Sequence, residues 1–145
     1  MICVYCSSKT NIVNSRSFKK GLEKWRRHRC TSCKEVFTSR ELPDLETSLW
    51  VRKKSGSLEP FYTSKLLISI YKALDHRNNA QNDAYVLMQT ICAQLLPVAN
   101  KEVLTIAVAE QTIIALKHFD PVGAVKYQST QTPLMNKRDV RRAIR

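Results

Sequence analysis

The sequence predicts an α+β protein in two parts: a small β module stapled by a metal ion, then a mostly helical domain that opens with a short β-hairpin. Two observations carry this. Four of the five cysteines fall as tight pairs, Cys3-Val4-Tyr5-Cys6 and Cys30-Thr31-Ser32-Cys33. From Thr63 onward, apolar residues recur with the 3.6-residue period of amphipathic helices rather than the alternation of strands. At 145 residues the chain suits one compact domain of ordinary size plus a small stapled module.

Each cysteine pair matches half of a tetrahedral thiolate site. Two intervening residues let a tight turn aim both sulfurs at one ion, and two such knuckles close a four-ligand shell. The 23-residue insert from Ser7 to Arg29 is long enough for a hairpin that brings the knuckles together. A disulfide framework is the other use of paired cysteines; the spacing favours zinc on Cys3, Cys6, Cys30 and Cys33. A full shell leaves no open position, so this ion is expected to hold the fold and do no chemistry. Cys3 follows Met1 so closely that no cleavable signal peptide is expected before the metal site. No apolar run reaches the roughly 18–20 residues needed to span a bilayer. The expected compartment is cytoplasmic, with reduced thiols.

The net charge of +12 points to a polyanionic partner, because clustered Lys and Arg release counterions from phosphates. Its distribution says more. Between the knuckles lie Lys9, Arg16, Lys19, Lys20, Lys24, Arg26, Arg27 and Arg29, against the single acid Glu23. Phe18 and Trp25 interleave with them, and a small zinc module has little interior to bury both. A solvated hairpin with its aromatics packed on the knuckles is one reading. A nucleic-acid face is favoured, since a solvated face usually mixes both signs.

Arg40-Glu41-Leu42-Pro43-Asp44 reads as a junction, because Pro43 discourages helix at Leu42. The expected divisions are a nucleic-acid-binding module over 1–44, a second domain over 45–133 and a basic tail over 134–145. In the second domain, Leu49–Lys54 and Leu58–Tyr62 are strand-like, and Gly56 supplies the positive φ of the turn between them. Thr63 or Ser64 is expected to cap a helix that buries Leu66, Leu67, Ile70, Tyr71 and Leu74. Asn78-Asn79 breaks it. A second helix from about Asn82 or Asp83 buries Leu87, Met88, Ile91, Cys92 and Leu95 and ends before Pro97. A third runs from about Val103 to Phe119, with Ile106, Ile113 and Ile114 inward. Asp120-Pro121 is a helix start, with Asp as N-cap and proline at the first helical position. Cys92 is expected to serve as a small core hydrophobe, and His76 and His118 as capping or surface residues.

The hairpin and the helix after it give a weak phosphate-site signal. Free N–H groups at the helix start attract anions, and Lys65 in the first turn opposes the helix dipole unless an anion offsets it. No P-loop or dinucleotide fingerprint is present.

Taken together, these residues carry a resemblance. Cys3-x-x-Cys6, Asn14-Ser15-Arg16, Arg26-Arg27-His28-Arg29-Cys30-x-x-Cys33 and Phe37-Thr38-Ser39-Arg40-Glu41 resemble the zinc ribbon of the NrdR family, bacterial repressors of ribonucleotide reductase genes. Val51-Arg52-Lys53-Lys54-Ser55-Gly56, Glu59-Pro60-Phe61 and Lys65 resemble the ATP-cone motif V-x-K-R-D-G…E-x-F…K. Asp120 to Ser129 is similar to the family's D-x-V-A-Y-V-R-F-A-S. The resemblance implies a DNA-binding zinc ribbon joined to an ATP-cone that binds ATP or dATP. Nucleotide occupancy would reset a homo-oligomer and so decide whether ribbons pair on double-stranded operators.

Carried over, Cys3, Cys6, Cys30 and Cys33 would bind zinc, and Arg16, Arg26, Arg27 and Arg29 would face DNA. Val51, Lys53, Lys54, Glu59, Lys65 and Lys126 would lie in or near the nucleotide pocket. Several positions depart from the pattern. Lys34 stands where the second knuckle usually has glycine, Arg40 where the family has an aromatic, Ser55 for the hairpin aspartate and Ala124 for a tyrosine. The tail carries Arg138, Arg141, Arg142 and Arg145 where the family usually ends acidic. These departures keep a second reading in view, a zinc-ribbon nucleic-acid-binding module whose cone is a scaffold or oligomerisation domain. An enzyme is not expected, as no paired carboxylates, Cys–His nucleophile or open metal position can be picked out.

Overall fold

The computed structural model describes residues 1–18 and 21–131, so the basic tail and its four arginines lie outside the described residues. The chain forms two compact units, Met1–Asp44 and a second from Leu45 onward.

The first unit is a three-stranded antiparallel sheet in the order β1 (Thr10–Phe18), β2 (Glu23–Cys30), β3 (Val36–Glu41). β1 pairs with β2 from Thr10 opposite Cys30 to Phe18 opposite Glu23, with a bulge between Ile12 and Asn14. Both cysteine knuckles lie at the same end of the sheet, where β1 starts opposite the end of β2, so the β1–β2 hairpin folds one knuckle back onto the other.

The second unit starts with the short helix α1 (Leu45–Ser48), then the hairpin β4 (Trp50–Arg52) and β5 (Leu58–Pro60). Gly56, at φ +87°, makes the expected turn. Helices α2 (Thr63–Ala73) and α3 (Ala80–Leu95) follow, then strand β6 (Glu102–Leu104), α4 (Thr105–Phe119) and α5 (Pro121–Gln131). β6 lies parallel to β4 and completes a small sheet in the order β5-β4-β6. The Arg52 guanidinium grips both oxygens of Glu102 across this pairing. The helices close over a core that includes Ile70, Leu74, Ile91, Leu95, Ile113 and Leu116.

Three local expectations need correcting. The N-cap of α2 is Tyr62, without a side-chain cap; Thr63 and Ser64 lie inside the first turn. Val103 belongs to β6, not to the third helix, because Asn100 and Lys101 adopt positive φ and turn the chain back beside β4. Ile114 points outward and Tyr71 is exposed, the core faces of their helices being set by Thr112-Ile113-Leu116 and Leu66-Ile70-Leu74. By contrast all five apolar residues expected inside α3 are buried, and the Cys92 thiol donates to Met88 Sδ at 3.8 Å. Among the described residues, no helix is long and apolar enough to cross a membrane.

The junction of α2 and α5 is fixed by Asp120. Its Oδ1 accepts the Gly123 N–H at 3.0 Å, the N-cap bond expected from Asp120-Pro121. Its Oδ2 meets Arg77 Nη1 at 3.1 Å and His76 Nε2 at 3.0 Å. The Gly123 N–H first, then Arg77 and His76, hold this carboxyl below the ordinary aspartate range despite its burial. Its contribution to stability is therefore complete above about pH 3.9, where unfolded aspartate is ionised, and is lost as pH falls through the lowered folded value. Asp120→Asn should flatten the acid loss of stability in chemical denaturation below that pH. Asp120→Ala should in addition lower stability at neutral pH by about 1–2 kcal/mol through the lost cap.

Candidate metal centre, nucleic-acid face and helical-unit cleft

The sulfurs of Cys3, Cys6, Cys30 and Cys33 lie within 4.8 Å of one another. Cys3 and Cys33 are 3.7 Å apart and Cys6 and Cys30 3.4 Å. Four sulfurs each about 2.3 Å from one zinc ion stand about 3.8 Å apart, whereas a disulfide needs about 2.05 Å. The cluster has the dimensions of the zinc shell, and the cysteines are free thiols. The two knuckles are built alike: the Tyr5 N–H donates to Cys3 Sγ and the Ser32 N–H to Cys30 Sγ. The Ser8 hydroxyl, then its backbone N–H, draw the Cys6 thiol down to about 6. The Glu35 N–H lowers Cys33 in the same way, but burial and the three other sulfurs outweigh it and push that thiol up to about 12. Thiols this close resist ionising together, and a bound divalent cation removes that resistance. This is a structural zinc site.

After each knuckle one residue takes the left-handed conformation, Ser7 at φ 59° and Lys34 at φ 65°. Lys34 tolerates the backbone that glycine would adopt freely, and its Nζ donates to the Thr31 carbonyl at 2.6 Å across the turn.

Strand pairing sorts the basic residues onto two faces, because directly opposed residues share a face and neighbours alternate. On the outer face, Arg16 stands opposite Trp25, which stands opposite Arg40, while Asn14, Arg27 and Thr38 form the next row. Arg29 lies on this face as well, opposite Asn11 and Val36. Arg26 does not. It shares the inner face with His28, whose ring stacks on Phe37 at 5.0 Å, and its Nη1 pairs with Glu41 at 2.5 Å. Of the four arginines singled out from the sequence, three are brought together and Arg26 is turned away. Arg40, a departure from the family pattern, joins them; its signal was the two-residue alternation along β3.

In the second unit, Val51, Glu59 and Lys65 line a cavity of about 180 Å³ together with Phe61, Ser69 and Tyr127. Lys53 Nζ and Lys65 Nζ meet the same oxygen of Glu59, at 2.8 and 3.1 Å, and hold its carboxyl below the usual range. A recess of about 600 Å³ between α2 and α5 adjoins the cavity, shares Lys65, Ser69, Tyr127 and Gln131 with it, and adds Lys72 and Lys126. Lys126 Nζ donates to Asp75 Oδ1 at 2.5 Å and lies 3.3 Å from His76 Nδ1. Lys53 and Lys54 line neither recess; Lys53 meets the lining residue Glu59, and Lys54 is exposed in the hairpin turn. The sequence reading missed Ser69, Lys72, Tyr127 and Gln131. Their i, i+3 and i+4 spacings on α2 and α5 were legible as helix faces, but which faces oppose each other is set by the fold.

Cys30→Ser should release zinc and unfold the first unit, since the binding energy of a structural site is folding energy; elemental analysis and circular dichroism would show both. Lys34→Gly should relieve about 1 kcal/mol of backbone strain and slow zinc loss to a chelator.

Residues 1–41 match the family model described as the N-terminal domain of transcriptional repressor NrdR-like proteins. The transcriptional repressor NrdR of Heliobacterium modesticaldum is 33% identical over 130 residues, spanning 89% of this chain and 85% of the relative. That of Halorhodospira halophila is 31% identical over 130 residues, covering 89% and 83% of the two chains. That of Xylella fastidiosa is 30% identical over 145 residues, covering 99% and 81%. Similarity of this extent, collinear through the ribbon and the helical unit, shows that the chain belongs to the NrdR family of transcriptional repressors.

Proposed function

We propose that this protein is a zinc-dependent, nucleotide-responsive repressor, acting on ribonucleotide reductase genes and assembling as a homo-oligomer. The observation that carries the reading is the sorting of charge on the ribbon: Arg16, Arg27 and Arg29 share one exposed face. A sheet face that presents exposed guanidiniums while its acid, Glu23, is nearly buried is suited to the phosphates and guanine edges of double-stranded DNA. Arg26 serves this face indirectly, tying β2 to the end of β3 through Glu41.

ATP or dATP is the proposed effector, held in the two adjoining recesses of the second unit. The smaller one, at about 180 Å³, falls below the roughly 300–1,000 Å³ of ordinary ligand sites, so a nucleotide needs both. Lys53, Lys65 and Lys126 would receive the phosphates, with Val51 and Glu59 lining the inner lobe and Lys54 reaching over from the hairpin turn. Each of the first three lysines is paired with a carboxylate in this structure. Binding is then an exchange, in which phosphate replaces Glu59 and Asp75 and frees the hairpin and the α2–α5 seam to shift.

Neutralising Arg27 and Arg29 together should weaken duplex binding and lower its salt slope by about two, whereas Arg26→Ala should leave the slope nearly unchanged. Calorimetric titration of the zinc-loaded protein with ATP and dATP, with light scattering in each state, should give saturable binding and a change in particle size. Lys65→Met should weaken that binding by about tenfold or more. Absence of binding at millimolar nucleotide would instead favour a ribbon whose cone is a scaffold or oligomerisation domain.

A further inference from the structure

The outer face of the ribbon carries two aromatic rings that duplex recognition does not use. Trp25 is half-buried between Arg16 and Arg40, in one row across the three strands. Phe18 lies on the same face one row further along β1 and is 46% exposed. Rows are about 6.8 Å apart, two residues of extended strand. The acid on these rows, Glu23, is only 6% exposed and pairs with Arg40 Nη1 at 3.3 Å, which steadies that guanidinium on this face. The face therefore presents Arg16, Arg27, Arg29 and Arg40 interleaved with Trp25 and Phe18.

Duplex DNA offers such a face its phosphates and base edges, while the flat faces of its bases are stacked inside. An unpaired strand exposes those faces. A cationic surface that tracks the backbone, combined with aromatic side chains on which successive bases stack, is the arrangement that holds single strands without sequence preference. We infer that the outer face of this ribbon also binds single-stranded DNA, with bases stacked on Trp25 and Phe18 and phosphates on the four arginines. In this role Arg16, Trp25 and Arg40 act as one guanidinium–ring–guanidinium row. The inference rests on the outer face being the nucleic-acid face proposed above, and goes beyond it in the kind of strand recognised.

The test uses the full zinc-loaded chain in a Trp50→Phe background, so that emission reports Trp25 alone, the sequence having two tryptophans. Oligothymidylate and a mixed-sequence duplex of equal length are compared, with affinities read by anisotropy of labelled strands. Oligothymidylate is expected to quench Trp25 and bind saturably. Trp25→Leu should weaken single-strand binding about tenfold or more and duplex binding by less than about threefold. Trp25→Phe, which keeps a ring, should restore most of the loss, and Arg40→Gln should lower the single-strand salt slope by about 0.7. Elemental zinc confirms that each variant keeps its ribbon, and Phe18→Leu supplies the same comparison if Trp25→Leu does not. Absence of quenching, or equal losses on both substrates, overturns the inference. If duplex binding persists in that case, the repressor reading stands; if both fail in the parent protein, the assigned face is wrong.

Discussion

The ribbon depends on four sulfurs meeting at one point. Among the described residues of Met1–Asp44, those that are buried are Cys3, Glu23, His28 and Cys30; no aliphatic side chain is. A unit of this size without an apolar core cannot offset the chain entropy of three ordered strands by burial alone. The metal shell must supply that free energy, and its direction is apparent in the strands, which end at the knuckles. The stacked His28 and Phe37 rings, with Tyr5 edge-on to Phe37 at 6.5 Å, form a small cover on the inner face rather than a core. Everything the outer face does is therefore conditional on zinc.

That dependence explains what could be read in advance. The metal ligands are local: two residues between cysteines determine a knuckle whatever surrounds it, so all four ligands were legible. The buried face of α3 was equally plain, since Leu87, Met88, Ile91, Cys92 and Leu95 follow one helical period without competing signals. β6 was not, because it is three residues long and is entered through Asn100 and Lys101, which adopt positive φ without a glycine to announce it. The arginine cluster was legible as a cluster and not as a face. Arg26 and Arg27 are adjacent in sequence and opposite in space, and only a fixed strand register separates them. Likewise Ser69 and Tyr127 share a cavity wall through the packing of α2 on α5, which no local pattern encodes.

The cleft of the second unit shows a different arrangement of charge. Lys53 and Lys65, 47% and 61% exposed, converge on a single carboxylate, Glu59. Exposed ion pairs of this kind are individually worth about 0–1 kcal/mol, so the arrangement adds little to stability. Its consequence is positional: two long, rotamer-rich side chains are already gathered at one point before any ligand arrives. A polyphosphate bound there would meet ordered cations and displace a weakly held carboxylate, so that ordering cost is largely met beforehand. The same holds for Lys126 on Asp75 across the α2–α5 recess.

The two faces of the ribbon sheet can be weighed against the general rule that a sheet buries at least one face against a second layer of structure. Among the described residues of this unit, no helix covers either face. The inner face closes itself with rings and the Arg26–Glu41 pair. The outer face keeps four exposed guanidiniums, an exposed Phe18 and a half-buried Trp25, an arrangement that carries a strong positive field with its acid, Glu23, nearly buried. A polyanion laid across it would supply the missing layer, satisfying the guanidiniums with phosphates and removing the rings from water in one step. The exposed guanidiniums are thus the physical reason to expect nucleic acid at this face, and the presence of rings as well as charge is the reason to expect that an unpaired strand fits it.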